Sequence, residues 1–174
     1  VRENVLLILK DAATGRVEKL VQARNLVTND GAEYYAENGT NSVPTYTFFK
    51  GKLALASSYK AAEVATATLG LLTFGSGTSG IRNFDSGYPK TDDTDTDNTG
   101  AGVRVATYRR TYTTAEANFT IKALAICRNG ATTNPAASAT LRKILNYLTL
   151  SAAQQITKTS SQTLKAFVNH TFSG

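Results

Sequence analysis

The sequence predicts a mainly β protein with a single domain over residues 1–174. In the C-terminal half, apolar and polar residues alternate along segments 103–112, 119–127, 141–150 and 163–172, which is typical of strands with one buried face. Thr and Ala are abundant and only 18% of residues are charged, a composition that suits a pleated, half-exposed surface. A chain of 174 residues can bury about two thirds of its unfolded surface in one core.

The N-terminal segment predicts a β-hairpin followed by a short helix. Residues 5–10 and 17–24 are strand-like and are joined by a turn that contains Gly15. Residues 28–39 begin with the capping residue Thr28 and end with Asn-Gly, as short helices do. We expect Leu26, Tyr34 and Tyr35 to face the core.

The middle of the chain is less regular. A strand is predicted within residues 44–58, and residues 70–74 return to strand, whereas 59–68 fits either a short helix or an excursion. Residues 75–102 are rich in Gly, Ser, Thr, Asp and Asn and predict one long polar loop. Loops of this length in a small domain are usually functional or disordered, so this segment is the best candidate for a binding arm.

Charge is distributed unevenly along the chain. Residues 85–97 contain five aspartates and one lysine and so carry a net charge of −4. Because the whole chain carries +6, the rest of it carries +10. A basic body attracts either nucleic acid or an acidic protein shell. The tightest basic pair among aromatics is Arg109-Arg110, and in a strand these two side chains point to opposite faces. We therefore expect no direct binding of nucleic acid.

Two motifs resemble ligand sites in part. Gly75 to Gly80 spells G-x-G-x-x-G, but the residues that follow cannot begin a helix, so the dinucleotide-binding interpretation is rejected and no cofactor is expected. Alternate aspartates could converge on a cation as in an EF-hand loop, although Asn98 stands where Gly is required. A solvated acidic loop is favoured over a calcium site of another geometry, whose weak candidate ligands are Asp93, Asp95 and Asp97.

Residues of catalytic type do not converge in the sequence. Cys127, the single cysteine, ends an apolar run and is expected to be a small buried residue. His170, the single histidine, shares a strand face with Leu164 and Val168, which predicts a histidine at the edge of the core. Glu33 and Glu37 are expected on a solvated helix face. The sequence therefore predicts that the protein is not an enzyme. Apolar stretches are too short for a membrane span, and no membrane partner is expected.

Four segments, in order along the chain, resemble a group of structural proteins from the virions of tailed bacteriophages. The first is Val5 to Gly15 followed by Asn25 to Ala32, similar to two strands with a "DxxTG" turn that lead to a short helix. The second, Leu72 to Thr78, is similar to an "xxxGxGT" strand end. The third, Tyr112 to Cys127, contains Glu-Ala-Asn at 116–118, and the fourth, Ser161 to Phe172, is similar to the final strand. Ala123 and Ala125 depart from the acidic and glycine positions of the group, and residues 59–68 and 85–97 look like insertions.

The resemblance implies an antiparallel β-sandwich or a jelly-roll-like barrel, with one or two short helices and the long loop. It also implies a capsid cement (decoration) protein on the virion surface, assembled in the host cytoplasm, or alternatively a tail, baseplate or neck adaptor or fibre component. The expected partners are the major capsid protein and further copies of this chain, as a dimer, a trimer or lattice neighbours.

Charge and aromatic character suggest which residues contact such partners. The acidic loop could meet basic strand faces of a neighbour, and aromatics in the loop could anchor it or, as a third function class, bind carbohydrate. The candidate contact residues are Phe84, Asp85, Tyr88, Asp92, Arg104 and Arg109.

Overall fold

The computed structural model describes residues 2–40, 51–61, 64–74, 80–91, 103–128, 131 and 143–173. These residues form one α-helix, α1 (Asn29–Gly39), one 3₁₀ helix (Leu69–Leu71) and fourteen β-strands. The strands are β1 (Arg2–Asp11), β2 (Val17–Arg24), β3 (Leu26–Val27), β4 (Lys52–Ala56), β5 (Ser58–Tyr59), β6 (Leu72–Thr73), β7 (Ile81–Asn83), β8 (Lys90–Thr91), β9 (Val103–Tyr112), β10 (Thr120–Ile121), β11 (Ala123–Cys127), β12 (Asn146–Thr149), β13 (Ile156–Thr157) and β14 (Gln162–Ser173).

The fold is a β-sandwich, as predicted, built from two five-stranded antiparallel sheets. The first sheet has the order β2-β1-β14-β9-β8, and the second has the order β3-β12-β11-β4-β7. Two short ribbons, β10-β13 and β5-β6, accompany them. Among the described residues each large sheet keeps two edge strands and neither closes on itself, so the fold is a sandwich and not a closed barrel.

The core between the sheets follows the alternation of the strands. Val5, Leu7 and Leu9 of β1 point inward from the first sheet, and Leu53 and Leu55 of β4 point inward from the second. These side chains are almost completely buried. Their burial removes apolar surface from water, which is the main favourable term in the folding of such a sandwich.

The second sheet is buried on both faces. In β4 and β11 the residues that alternate with the inward-facing leucines are small, among them Ala54, Ala56 and Ala125. Leu69 and Leu72, from the 3₁₀ helix and β6, pack against this small-residue face. Small side chains let the covering segment approach the sheet closely, so residues 64–74 form a third layer.

Helix α1 is fixed at its N-terminus by backbone contacts with the chain before β12. The Thr28 hydroxyl accepts a hydrogen bond from the Gly31 N–H at 3.1 Å and donates to the carbonyl of Ile144. Gly31 is buried, and a Cβ on this residue would overlap the carbonyl oxygen of Leu145 and lie 2.9 Å from its carbonyl carbon. The Thr-x-x-Gly sequence therefore combines a helix cap with a close backbone contact.

Several predicted elements match the structure and others require correction. The hairpin, the helix and the strand over 103–112 are confirmed, and Tyr34 and Tyr35 pack against the core. Segment 119–127 is split at Lys122, whose N–H donates to Ala56 and whose carbonyl accepts from Leu150, both at 2.8 Å. The described residues between 59 and 68 contain no helix. Tyr59 belongs to β5, which pairs with β6, and the 3₁₀ helix begins only at Leu69.

Part of the predicted loop over 75–102 forms strands instead. Its described part, residues 80–91, contains β7 and β8, which extend the second and the first sheet respectively. The strand-like residues 46–49 and the Gly75 to Gly80 motif, except Gly80 itself, lie outside the described residues.

Replacing Gly31 with Ala is expected to lower the free energy of unfolding by about 2 kcal/mol or more, because the new methyl group meets backbone that cannot move aside. Urea unfolding followed by circular dichroism measures the loss. Gly39→Ala in the same helix is the control, because a Cβ there has no neighbouring atom within 4 Å. Equal effects of the two substitutions would show that the contact with Leu145 does not constrain residue 31.

Candidate partner-binding surface

The outer face of the first sheet, the side that points away from the second sheet, carries exposed apolar side chains. Leu20 and Val17 of β2 are 56% and 49% exposed. Strand register places the half-buried Ile8 of β1 beside Leu20, and the half-buried Leu6 of β1 beside Phe167 of β14, which is itself only 3% exposed. We call these five residues the apolar stripe. Apolar residues gathered on a sheet face that meets solvent are typical of a surface that binds a partner.

Basic residues border the apolar stripe. Lys165 lies next to Ile8 in the register, and its ammonium is 5.2 Å from the centroid of the Phe167 ring. Lys10 pairs with Val17 at one end of the stripe, and Arg24 is exposed at the other end. The outer face therefore offers apolar contact area with positive charge around it, which suits a partner whose surface is apolar and acidic.

A cleft of about 470 Å³ lies at the Arg24 end of the outer face. Its polar lining comes from Asn4, Gln22, Arg24 and Asn169, and Leu6 contributes an apolar wall. Asn4 lies between Arg24 and Asn169 in the strand register, so three side chains from three strands stand in one row.

The opposite edge of the first sheet holds a network of ion pairs. Asp85 accepts hydrogen bonds from the Arg109 Nε at 3.0 Å and from the Thr111 N–H at 2.9 Å. Arg110 reaches the same carboxylate at 3.8 Å and binds Glu116 at 2.8 Å. The side chains of Arg109 and Arg110 point to opposite faces of β9, as predicted. Both still approach Asp85, because Asp85 lies beside the edge of the strand.

The structure changes the interpretation of the predicted contact residues. Phe84 and Tyr88 are each only 9% exposed and belong to the core, so they are not the exposed aromatics that a carbohydrate site would use. Asp85 pairs with Arg109 of its own chain, whose guanidinium also stacks 4.0 Å from the centroid of the Tyr88 ring. Arg104 is exposed on β9. Asp92, Asp93, Asp95 and Asp97 lie outside the described residues.

The Glu-Ala-Asn motif has a structural role. Glu116 binds the Arg82 Nε at 2.6 Å and accepts a hydrogen bond from the Thr113 N–H at 3.0 Å. Ala117 is fully buried with φ of 53°, in the left-handed region. Asn118 accepts a hydrogen bond from the buried Lys158 ammonium at 2.7 Å. The three residues hold the turn between β9 and β10.

A buried polar cluster joins the first sheet to α1. Glu3 and His170 are cross-strand neighbours, with 2.9 Å between the Glu3 Oε1 and the His170 Nε2, and both side chains are buried. The Tyr35 hydroxyl contacts the other ring nitrogen, Nδ1. Burial raises the pKa of Tyr35 and, to a smaller extent, that of Tyr108 beside it, so both phenols stay protonated.

Carboxylate, imidazole and phenol in series could carry a proton in an accessible site, but His170 is 0% exposed. It is buried on the inner face together with Leu164 and Val168, which confirms the predicted face, although the side chain is fully buried and the prediction placed it at the edge of the core. Glu3 was not identified from the sequence, because its relation to His170 depends on the pairing of the first strand with the last.

Cys127 is also buried, as predicted, and burial raises the pKa of its thiol to about 12. In the described part of the chain, His, Cys, Asp and Glu side chains form no group of three that could hold a metal ion. A membrane-spanning helix is likewise not found among the described residues.

No protein-family model, curated protein or solved structure matches this chain.

Replacing Glu116 with Gln is expected to lower the free energy of unfolding at pH 7 and to reduce its decline in acid. Burial alone would raise the pKa of Glu116, but the Thr113 N–H and the guanidiniums of Arg82 and Arg110 outweigh burial, and the pKa falls below its ordinary value of 4.5. A lowered pKa in the folded state means that the stabilisation is complete above about pH 4.5 and is lost as pH falls through the folded pKa.

Chemical denaturation at a series of pH values measures this dependence. Glu33→Gln on the exposed side of α1 serves as the control and should leave the pH profile close to that of the wild type. A Glu116→Gln profile parallel to that of the wild type would show that the Glu116 cluster does not contribute to acid sensitivity.

Proposed function

We propose that this protein is a bacteriophage capsid cement, or decoration, protein that binds the lattice of the major capsid protein through the outer face of its first sheet. The observation that carries the proposal is the apolar stripe with its basic border. The proposal is for a structural role without catalysis, on the surface of the virion.

Two physical terms support binding to such a lattice through this face. Burying an exposed leucine side chain contributes about 1.5–3 kcal/mol, and Leu20 and Val17 are both available for contact. Lys10, Arg24 and Lys165 add charge complementarity to an acidic shell, which speeds association and fixes orientation. Binding many identical sites on one particle multiplies modest individual contacts.

The sequence resemblance adds independent support. Thr28, Gly31, Glu116 and Asn118 lie in the segments that resemble phage virion proteins, and each makes a contact that determines the local fold. Residues with such roles are expected to recur among proteins that share a fold. A protein shell is favoured over nucleic acid as the partner because Arg109 and Arg110 are already paired with Asp85 and Glu116.

The second candidate is a tail, baseplate or neck adaptor or fibre component, since the resemblance covers these roles too. The number of copies in purified virions separates the two roles. Quantitative mass spectrometry against the major capsid protein is expected to give a simple ratio with many copies per particle. A handful of copies would favour the tail, and absence from the particle would contradict both proposals.

Leu20→Ser is expected to weaken binding to undecorated, expanded capsids by roughly tenfold, as the loss of about 1.4 kcal/mol of apolar contact implies. Co-sedimentation of purified protein with capsids measures the effect, and raising the salt concentration should weaken binding of the wild type. Val64→Ser is the matched control, because Val64 is another exposed apolar residue, 40% exposed, in the segment that covers the second sheet.

Two results would overturn the proposed binding face. One is a failure of the wild type to bind capsids at low salt, and the other is equal weakening of binding by Leu20→Ser and Val64→Ser.

A further inference from the structure

We propose that the cleft at the Arg24 end of the outer face receives an acidic side chain from the partner protein. The inference rests on the proposed function only in its use of the outer face for binding, and it adds the chemistry that the partner must present. The occupant is the carboxylate of an aspartate or glutamate, with an apolar residue near it in the same segment.

The register of three strands builds the cleft. Asn4 of β1 pairs with Arg24 of β2 on one side and with Asn169 of β14 on the other. Leu6 and Gln22, which pair with each other, form the next row along the sheet. All five residues belong to the lining of the cleft of about 470 Å³. That volume is sufficient for one side chain together with the backbone that carries it.

The side chains of the cleft suit a carboxylate. Arg24 is the charged residue of the lining, and its planar guanidinium can donate two parallel hydrogen bonds to a carboxylate. The amides of Asn4 and Gln22 supply further N–H donors. Because Arg24 is exposed at the end of an outer strand, a carboxylate that arrives from solvent reaches it without rearrangement of the sheet.

The position of the cleft next to the apolar stripe defines the neighbouring residue of the partner. Leu6 forms a wall of the cleft and also pairs with Phe167 in the stripe. Side chains on one face of a strand are two residues, about 6.6 Å, apart. A partner segment in extended conformation would therefore place its acidic residue in the cleft and an apolar residue two positions away against the stripe.

The test uses the full-length protein and two short peptides. The acidic probe is acetyl-Thr-Glu-Thr-Leu-Thr-amide, and its neutral counterpart carries Gln in place of Glu, with both ends blocked so that the side chain is the only carboxylate. Titration followed by NMR is expected to shift the side-chain amide signals of Asn4, Gln22 and Asn169 with the acidic peptide. The neutral peptide is expected to bind at least several-fold more weakly.

Arg24→Gln is expected to remove the preference for the acidic peptide. Arg16→Gln is the control, because Arg16 is an exposed arginine in the turn of the same hairpin and lies outside the cleft. Equal binding of the two peptides by the wild type, no shift of the three amides at about 1 mM peptide, or an equal loss in both arginine variants would overturn the inference.

Capsid binding separates this inference from the proposed function. If Leu20→Ser weakens binding to capsids while Arg24→Gln leaves it unchanged, the outer face binds the lattice but the cleft receives no carboxylate. If both substitutions weaken binding and Arg16→Gln does not, the cleft contributes as proposed.

Discussion

The burial of the second sheet on both faces is the constraint on which the rest of the structure depends. In β4 and β11, large residues such as Leu55 and Leu124 alternate with small ones such as Ala54 and Ala123. The large residues fill the space between the sheets, and the small ones let the segment over 64–74 lie close to the other side. A strand buried on both faces presents little side-chain surface to solvent, so the sheet face that carries exposed apolar side chains belongs to the first sheet.

The central position of β14 in the first sheet links its two faces. On the inner side, His170 joins Glu3 of β1 and Tyr35 of α1 in the buried polar cluster, which ties the helix to the sheet. On the outer side, Phe167 and Lys165 contribute to the stripe and to its border. The same strand therefore positions the helix and the binding face, because successive residues point to opposite sides.

The charged side chains near the two edges of the first sheet have different partners. Near β9, Asp85 and Glu116 neutralise Arg109 and Arg110 within the chain. Near β2, Arg24 stands at the rim of the cleft, exposed to solvent. An arginine held by internal carboxylates stabilises the fold, whereas one that faces an open cleft can act on a partner. This difference locates the proposed recognition on the β2 side of the outer face.

The sequence by itself determined the features that depend on neighbouring residues. The first hairpin, the cap of α1 at Thr28, the full length of β9 and the buried positions of Cys127 and His170 follow from alternation, turn residues and capping preferences. Only the tertiary structure decided which distant segments meet. The partnership of Glu3 with His170, the capture of Arg109 by Asp85 and the burial of Phe84 in a segment predicted as loop all depend on strand pairing across the chain. The outer face belongs in part to this second group, because the pairing of β1 with β14, which are far apart in sequence, aligns Ile8 with Lys165, and no local pattern encodes that register.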